Sequence, residues 1–418
     1  MIADTAGSTA RQDTGNPCDG VALLRTTASI RERATALVER ARCGDSRWFT
    51  VHDDARTAAA DEVASVTRQR YPDLDIPFHS RWRHFETGGV DRVASIDDRL
   101  PTDPAERARS LIDLAVISVL LDAGAGPDWT FHESATGLRI GRSEGLAVAS
   151  WYAFVAGLFS SDPRRPLQVD AGALQRLSPE SLGAAFQVGV ANPLVGVDGR
   201  VELLCRLGAV LAEPEVFGDS GRPGHLLDFA ISSPRSSVAA TDILAALLGS
   251  LSGIWLSDNT IDGRPLGDCW RHDAVSGPGV TAGWMPFHKL SQWLTFSLLE
   301  PLAWSGIDVT GIDDLTPLPE YRNGGLLLDT GVIELRDQDL AHRIWSPGDE
   351  LVVEWRALTV GLIDELAPLV RDALGVDRAR LPLACVLEGG TWAAGRALAG
   401  RLRNGLPPLT VASDGTVF

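Results

Sequence analysis

The sequence predicts a mainly helical protein with a small β-hairpin or sheet. Three observations lead there. Apolar residues recur at intervals of three and four through most of the chain, as in Ile30, Ala34, Leu37, Val38 and Ala41. Alternation is confined to one stretch, residues 129–142, with a turn at Ser134 to Gly137. Helix-end residues flank the periodic segments, among them Ser143, Thr316 with Pro317, and Gly331.

Taken in order, the first twenty residues, MIADTAGSTARQDTGNPCDG, are small and polar, lack the apolar core of a signal peptide and read as a disordered tail. Residues 21–418 are expected to form one compact helical unit, or two lobes packed closely together. Residues 21–69 carry the helical period. PDLDIPFHSRWRHFETGG then sets His79, Arg81, Trp82, Arg83, His84, Phe85 and Glu86 in a Pro-bounded loop. Interleaved Arg and aromatic residues often hold an anion or a sugar face; the alternative is an ion-paired structural loop. Residues 107–121 are nearly all apolar and so form a buried helix. It runs into LDAGAGPDW, where Asp122, two glycines, Asp128 and Trp129 suggest a close backbone approach to a ligand. Ser143 is expected to cap a helix that starts at Glu144. Further helices are expected at 180–190, 200–212 and 237–252.

The 418 residues are 44% apolar, enough for a sizeable core. A net charge of −17 argues against nucleic acid, whose affinity comes from many cations releasing counterions, and favours a small-molecule ligand. Five scattered cysteines without CxxC spacing read as reduced thiols in a cytoplasmic protein. No apolar run reaches the length of a membrane span. GAGPDW is not a GxGxxG loop, and neither HExxH nor GxSxG occurs. His79 and His84, five apart, are a weak metal pair, so neither metal nor cofactor is expected.

Of 38 basic residues, one is lysine, Lys289. Where every other cation is Arg, a retained lysine marks a position needing a compact ammonium or an amine whose pKa burial can lower; an exposed helix lysine is the alternative. The apolar run from Leu290 to Leu299 places Lys289 in the first turn of a helix that opens near Pro286 and ends between Pro301 and Gly306. A cation there opposes the helix dipole unless an anion lies opposite. Thr316 and Pro317 predict the next helix, with Glu320, Tyr321 and Arg322 in its first turn or so. Lys289 and Glu320 can then meet across a cleft, each favouring the other's charged form. Carboxylates, one lysine, tryptophans and arginines suit a reaction through a cationic sugar.

FHSRWRHFE, LDAGAGPDW, RSEGLAVAS, the NPL and GR between Asn192 and Arg200, LPEYRNGGLLLDTGVIE, LEGGTW from Leu387 to Trp392 and the terminal SDGTVF together resemble the uracil-catabolism protein four family. The resemblance covers residue 22 to the C-terminus. It implies a late step in opening a uracil nucleoside or nucleotide, release of urea from ribosyl-urea or its phosphate. HKLSQ, followed by LTPLPEYRNGGLLLDTGVI, is similar to the queuosine-salvage nucleoside glycosylases. Their fold is akin to helix-hairpin-helix glycosylases, and their motif is a KRAQ-type helix followed by LTxFADYRVPQxLxxLGVL. That similarity places Lys289 on the family's helix lysine and Glu320 on its acidic residue. Asp has become Glu here, and Asn323, Gly324 and Gly325 replace VPQ, which is expected to reshape the base-side pocket.

The implied activity is an N-ribosyl hydrolase. Glu320 would stabilise the sugar cation or activate water, and Lys289 would position Glu320 or hold the ligand. Tyr321, Arg322, Asp122, Asp128 and Trp129 would line the pocket, and Arg81, Arg83, Arg139 and Arg142 are candidates for a phosphate. The alternative is a non-catalytic ligand-binding or scaffold subunit for a ring-opening enzyme.

Overall fold

A computed structural model describes residues 16–231 and 237–412 of the chain. Among the described residues there are seventeen α-helices and six two-stranded sheets, so the protein is mainly helical. The expected hairpin is present: Thr130–Glu133 pairs antiparallel with Leu138–Gly141, Thr130 opposite Gly141 and Glu133 opposite Leu138. Five further pairings exceed the single sheet that alternation predicts. Several tie distant segments, such as Phe49–Val51 to Ile333–Leu335 and Ser237–Ala239 to Asp308–Thr310. Strands of two or three residues are too short to show a period, and tertiary contacts choose their partners.

The helices begin where side chains can satisfy their first N–H groups. Pro104–Leu120 opens with Pro104 behind Asp103, whose Oδ1 accepts from Glu106 N at 2.9 Å. Its apolar interior packs on the Lys289–Trp304 helix. Glu350–Leu374, the longest described helix at 25 residues, is buried along most of its length and packs on Thr27–Arg42 and Arg56–Arg70. One apolar cluster runs from Val38 to Leu409. Among the described residues, no helix is long and apolar enough to cross a membrane.

Several expected boundaries move. Residues 1–15 of the expected tail lie outside the described residues, as does the terminal SDGTVF, while Pro17–Leu24 is helical behind an Asn16 cap. Ser143 is no cap. The helix starts at Arg142, and the Ser143 hydroxyl donates to Asp122 Oδ1 at 2.6 Å. Thr316 does not open the next helix either, because prolines at 317 and 319 disfavour helical backbone at the residues before them. The helix is Tyr321–Asp329, and Glu320 itself is its N-cap. Its end agrees with expectation: Gly331 follows at φ +75°.

The Trp392–Arg403 helix crosses Tyr321–Asp329 at Gly395, where a Cβ would stand 2.1 Å from the Arg322 carbonyl oxygen. Gly400, in the same helix, has nothing within 4 Å of that position. Gly395→Ala should therefore cost about 1–3 kcal/mol by forcing the two helices apart. Gly400→Ala should leave stability unchanged or raise it by up to about 1 kcal/mol. Urea denaturation of the two variants checks the pair.

Candidate active site

The two residues singled out from the sequence are joined through Asp268. Arg356, from the Glu350–Leu374 helix, grips its carboxylate at 2.8 and 2.7 Å, and Trp270 Nε1 donates to Oδ1 at 2.7 Å. Burial raises the Asp268 pKa, but Arg356 and these donors outweigh it and hold it down to about 2. Asp268 Oδ2 also accepts the Lys289 backbone N–H at 2.9 Å, and its carbonyl accepts from Phe287 and His288. The anion required at the positive end of the lysine helix is thus partly Asp268. His288, just before Lys289, is held in the left-handed region at φ +50°. From the other side, Gln292 Oε1 accepts from Thr316 N at 2.9 Å, tying the lysine helix to the segment that leads into Glu320.

As N-cap, Glu320 accepts from Arg322 N at 2.7 Å and Asn323 N at 2.5 Å, one bond to each oxygen. A carboxylate has about four acceptor positions, so each oxygen keeps one for a ligand or water. Burial raises its pKa, against those two N–H groups, Lys289 and Arg322. Burial likewise lowers that of Lys289, with Arg356 in the same sense and Asp268, Glu320 and Asp122 opposing. The two groups do act on each other as expected. The net direction is nevertheless reversed, because loss of water outweighs their attraction and shifts both toward neutrality.

A second cluster carries Asp122. Arg81, fully buried in the Arg81–Phe85 helix, places Nη1 2.9 Å from Asp122 Oδ2 and 2.9 Å from His84 Nδ1, and its Nε donates to Ser118 Oγ at 2.7 Å. The field of Asp122 reaches Lys289, which links the clusters. The His84 ring lies beside Trp293, one turn after Lys289, and beside Trp392, with centroids at 5.8 and 6.3 Å. Also against Trp293, at 4.6 Å, is His79, held by Glu388 through Nδ1 at 2.9 Å. Glu388 sits in a π-turn, Leu387–Thr391, and also accepts from Arg70 at 2.8 Å and Tyr71 at 3.1 Å. Burial raises its pKa, and His79 and Arg70 more than reverse this, to about 2. π-Turns recur at functional sites.

The remaining expected site residues are dispersed. Arg322 stacks on Tyr321 at 4.7 Å, beside Glu320. Arg83 is spent on Glu300 at 2.6 Å and Glu86 at 3.0 Å. Trp129 is core rather than lining: it is 1% exposed, and its Nε1 donates to Phe186 O at 2.9 Å. Asp128 and Arg139 are exposed, as is Arg142, whose charge acts on Tyr321. Gly324 and Gly325 are closely packed. A Cβ would meet the Trp355 indole at 2.7 Å in one case and Pro408 at 3.3 Å in the other, so they are packing positions. Asp268, Arg356 and Glu388 went unnoticed in the sequence, since a buried ion pair across 88 residues has no local pattern. Among the described residues, no three His, Cys, Asp or Glu side chains gather as a metal site. A groove of about 690 Å³ lined by Asp162, Arg165 and Asp170 holds none of these groups.

Fold and site describe a helical protein in which a partly buried lysine and a partly buried carboxylate, at the starts of two helices, lie within each other's field. The chain belongs to the family described as "Protein of unknown function (DUF1688)", which matches residues 23–418. It is 37% identical to uracil catabolism protein 4 of Lachancea kluyveri, over 95% of this chain and 99% of that one. It is 38% identical to protein urg3 of Schizosaccharomyces pombe, with the same coverage of both.

The Asp268 and Glu388 carboxyls titrate near 2 when folded and near their ordinary values, about 4, when unfolded. The unfolded chain therefore binds more protons between these values. Each contributes stability that is whole above about pH 5 and is lost as pH falls through 2, about 2–3 kcal/mol for a shift of this size. Asp268→Asn should lower stability at pH 7 and flatten the loss between pH 5 and 2. Urea titrations at stepped pH check both.

Proposed function

We propose that the protein acts in uracil catabolism by hydrolysing an N-ribosidic bond, releasing urea from ribosyl-urea or its 5′-phosphate. What supports the reading is that Lys289 and Glu320, at the starts of two helices, each feel the other's charge where desolvation is the larger influence on both. The names of the two relatives support the pathway. The acidic chain favours a free nucleoside-like substrate over nucleic acid, and five free cysteines suit a cytoplasmic setting. The large apolar cluster from Val38 to Leu409 supports reading residues 21–418 as one compact, mainly helical unit.

In the reaction, the bond from C1′ to the urea nitrogen breaks with its electron pair going to nitrogen. Positive charge develops on the sugar, where an ionised Glu320 lowers the barrier. Water then bonds C1′ through oxygen and gives a proton to the Glu320 carboxylate. The proton that Glu320 took from water passes to the leaving nitrogen, so water is added across the bond, giving urea and ribose or its 5′-phosphate, and Glu320 returns to its carboxylate. Lys289 orients Glu320 and keeps part of its charge.

Purified protein incubated with ribosyl-urea should release urea. Glu320→Gln should lower turnover on the order of 10² to 10⁴ while leaving ligand affinity within a few-fold, because the carboxylate acts mainly in the transition state. Lys289→Arg should also impair turnover, since a guanidinium is broader and does not deprotonate. Retention of turnover within about threefold by a folded Glu320→Gln protein, under ~1 kcal/mol of barrier, would leave Glu320 as a helix cap only.

A further inference from the structure

His84 has no part in the chemistry above, yet its surroundings dictate its state. A guanidinium nitrogen carries only donors, so Arg81 Nη1, 2.9 Å from Nδ1, makes that ring nitrogen an acceptor. Ser143 Oγ stands 3.2 Å from the same nitrogen. The ring proton is therefore on Nε2, which has no hydrogen-bond partner among the described residues. Two further donors nearby are unsatisfied although buried: Nη2 of Arg81, which is 0% exposed, and Nε1 of Trp293, which is 5% exposed and adjoins the imidazole. Buried donors without a partner are costly, so these two, with the Nε2–H of the partly exposed His84 ring beside them, point to an acceptor that arrives with the ligand.

The charges around them decide which acceptor. Arg81 is paired with Asp122, and Arg396, whose guanidinium lies over Trp392 at 5.3 Å, is paired with Glu144. The wall has donors to offer but no excess positive charge, which suits a neutral carbonyl better than a dianionic phosphate. Trp293 and Trp392 beside the imidazole supply aromatic surface for a planar group.

We propose that His84, as the neutral Nε2–H tautomer, donates a hydrogen bond to the carbonyl oxygen of a planar ureido or pyrimidine group lying between Trp293 and Trp392. In naming urea as that group when it leaves the sugar, the inference rests on the function proposed above. Titration agrees with the geometry. Burial, with Arg81 acting in the same sense, brings the His84 pKa down to about 4 against Asp122 and Glu144, with His79 adding to the lowering. The ring thus stays neutral at pH 7 and donates without transferring its proton. A neutral imidazole can polarise a carbonyl in this way, and here the developing charge on the leaving ureido group would be drawn toward Nε2.

The test has two arms. Nitrogen-15 NMR of the imidazoles of the intact protein at pH 7, with His84 assigned by its loss in His84→Gln, should give the Nε2–H tautomer; a protonated ring or Nδ1–H overturns the inference by itself. Calorimetry should then compare ribosyl-urea with ribosyl-thiourea, whose sulfur is the weaker acceptor, on wild type, His84→Gln and His84→Phe, each checked for folding by thermal melt. The expected result is about tenfold weaker binding of ribosyl-urea by His84→Phe, loss of its preference for urea over thiourea, and partial rescue by His84→Gln. A preference unchanged in His84→Phe while wild type still releases urea overturns the role of His84 and leaves the proposed hydrolysis standing. If wild type ignores ribosyl-urea but binds uridine or uracil through His84, the hydrolysis fails and the carbonyl site stands. Binding of none of these ligands overturns both.

Discussion

Arg356 and Asp268 form the contact on which the geometry of the site depends. Their two hydrogen bonds, 2.8 and 2.7 Å, join the longest described helix to the turn before Lys289, and Arg356 Nε reaches the carbonyl of Pro319, next to Glu320, at 3.5 Å. One buried guanidinium thus touches the entry to both helices that carry the candidate pair. A buried ion pair is a weak source of net stability, because desolvation offsets much of its attraction. Its directional bonds fix where backbones lie, and Asp268 takes N–H groups from residues 287, 288 and 289 in addition to its bond from Arg356. The left-handed backbone at His288 is kept in place by this over-determination.

Burial then sets the chemical character of what is held. In water, a lysine and a glutamate at this range would strengthen each other's charge. Here desolvation dominates, raising the Glu320 pKa and lowering that of Lys289. Both move toward the range in which groups exchange protons near neutrality, where a general base works best. Asp268 and Glu388 are buried too but go the other way, because each has Arg or His donors bonded directly to its oxygens. The opposite shifts of these carboxylates follow from the number and charge of the donors on each.

Around the pair, polar groups lie in layers. Glu388 holds His79, and the rings of His79 and His84 both pack against Trp293. Fixed donors on rigid supports act without reorganisation when a ligand arrives, and this is the condition for strong electrostatic help in a site shielded from water.

By itself the sequence determined the helical class, since a 3.6-residue period is a local property, and the hairpin at 130–141, whose alternation spans two neighbouring strands. It also determined that Lys289 is unusual, because one lysine among 38 basic residues is visible without any fold. The start of the Glu320 helix was misread by a few residues, because two closely spaced prolines made Thr316 resemble a cap that the backbone before Pro319 could not use. Tertiary structure alone decided the rest. It sent Trp129 into the core, consumed Arg83 in ion pairs, set Gly324 against the Trp355 indole of another helix, and brought Asp268 to Arg356 across 88 residues. The physical reason is that burial and long-range pairing depend on how segments meet, and that information lies in the packing of many faces at once rather than in any one stretch of residues.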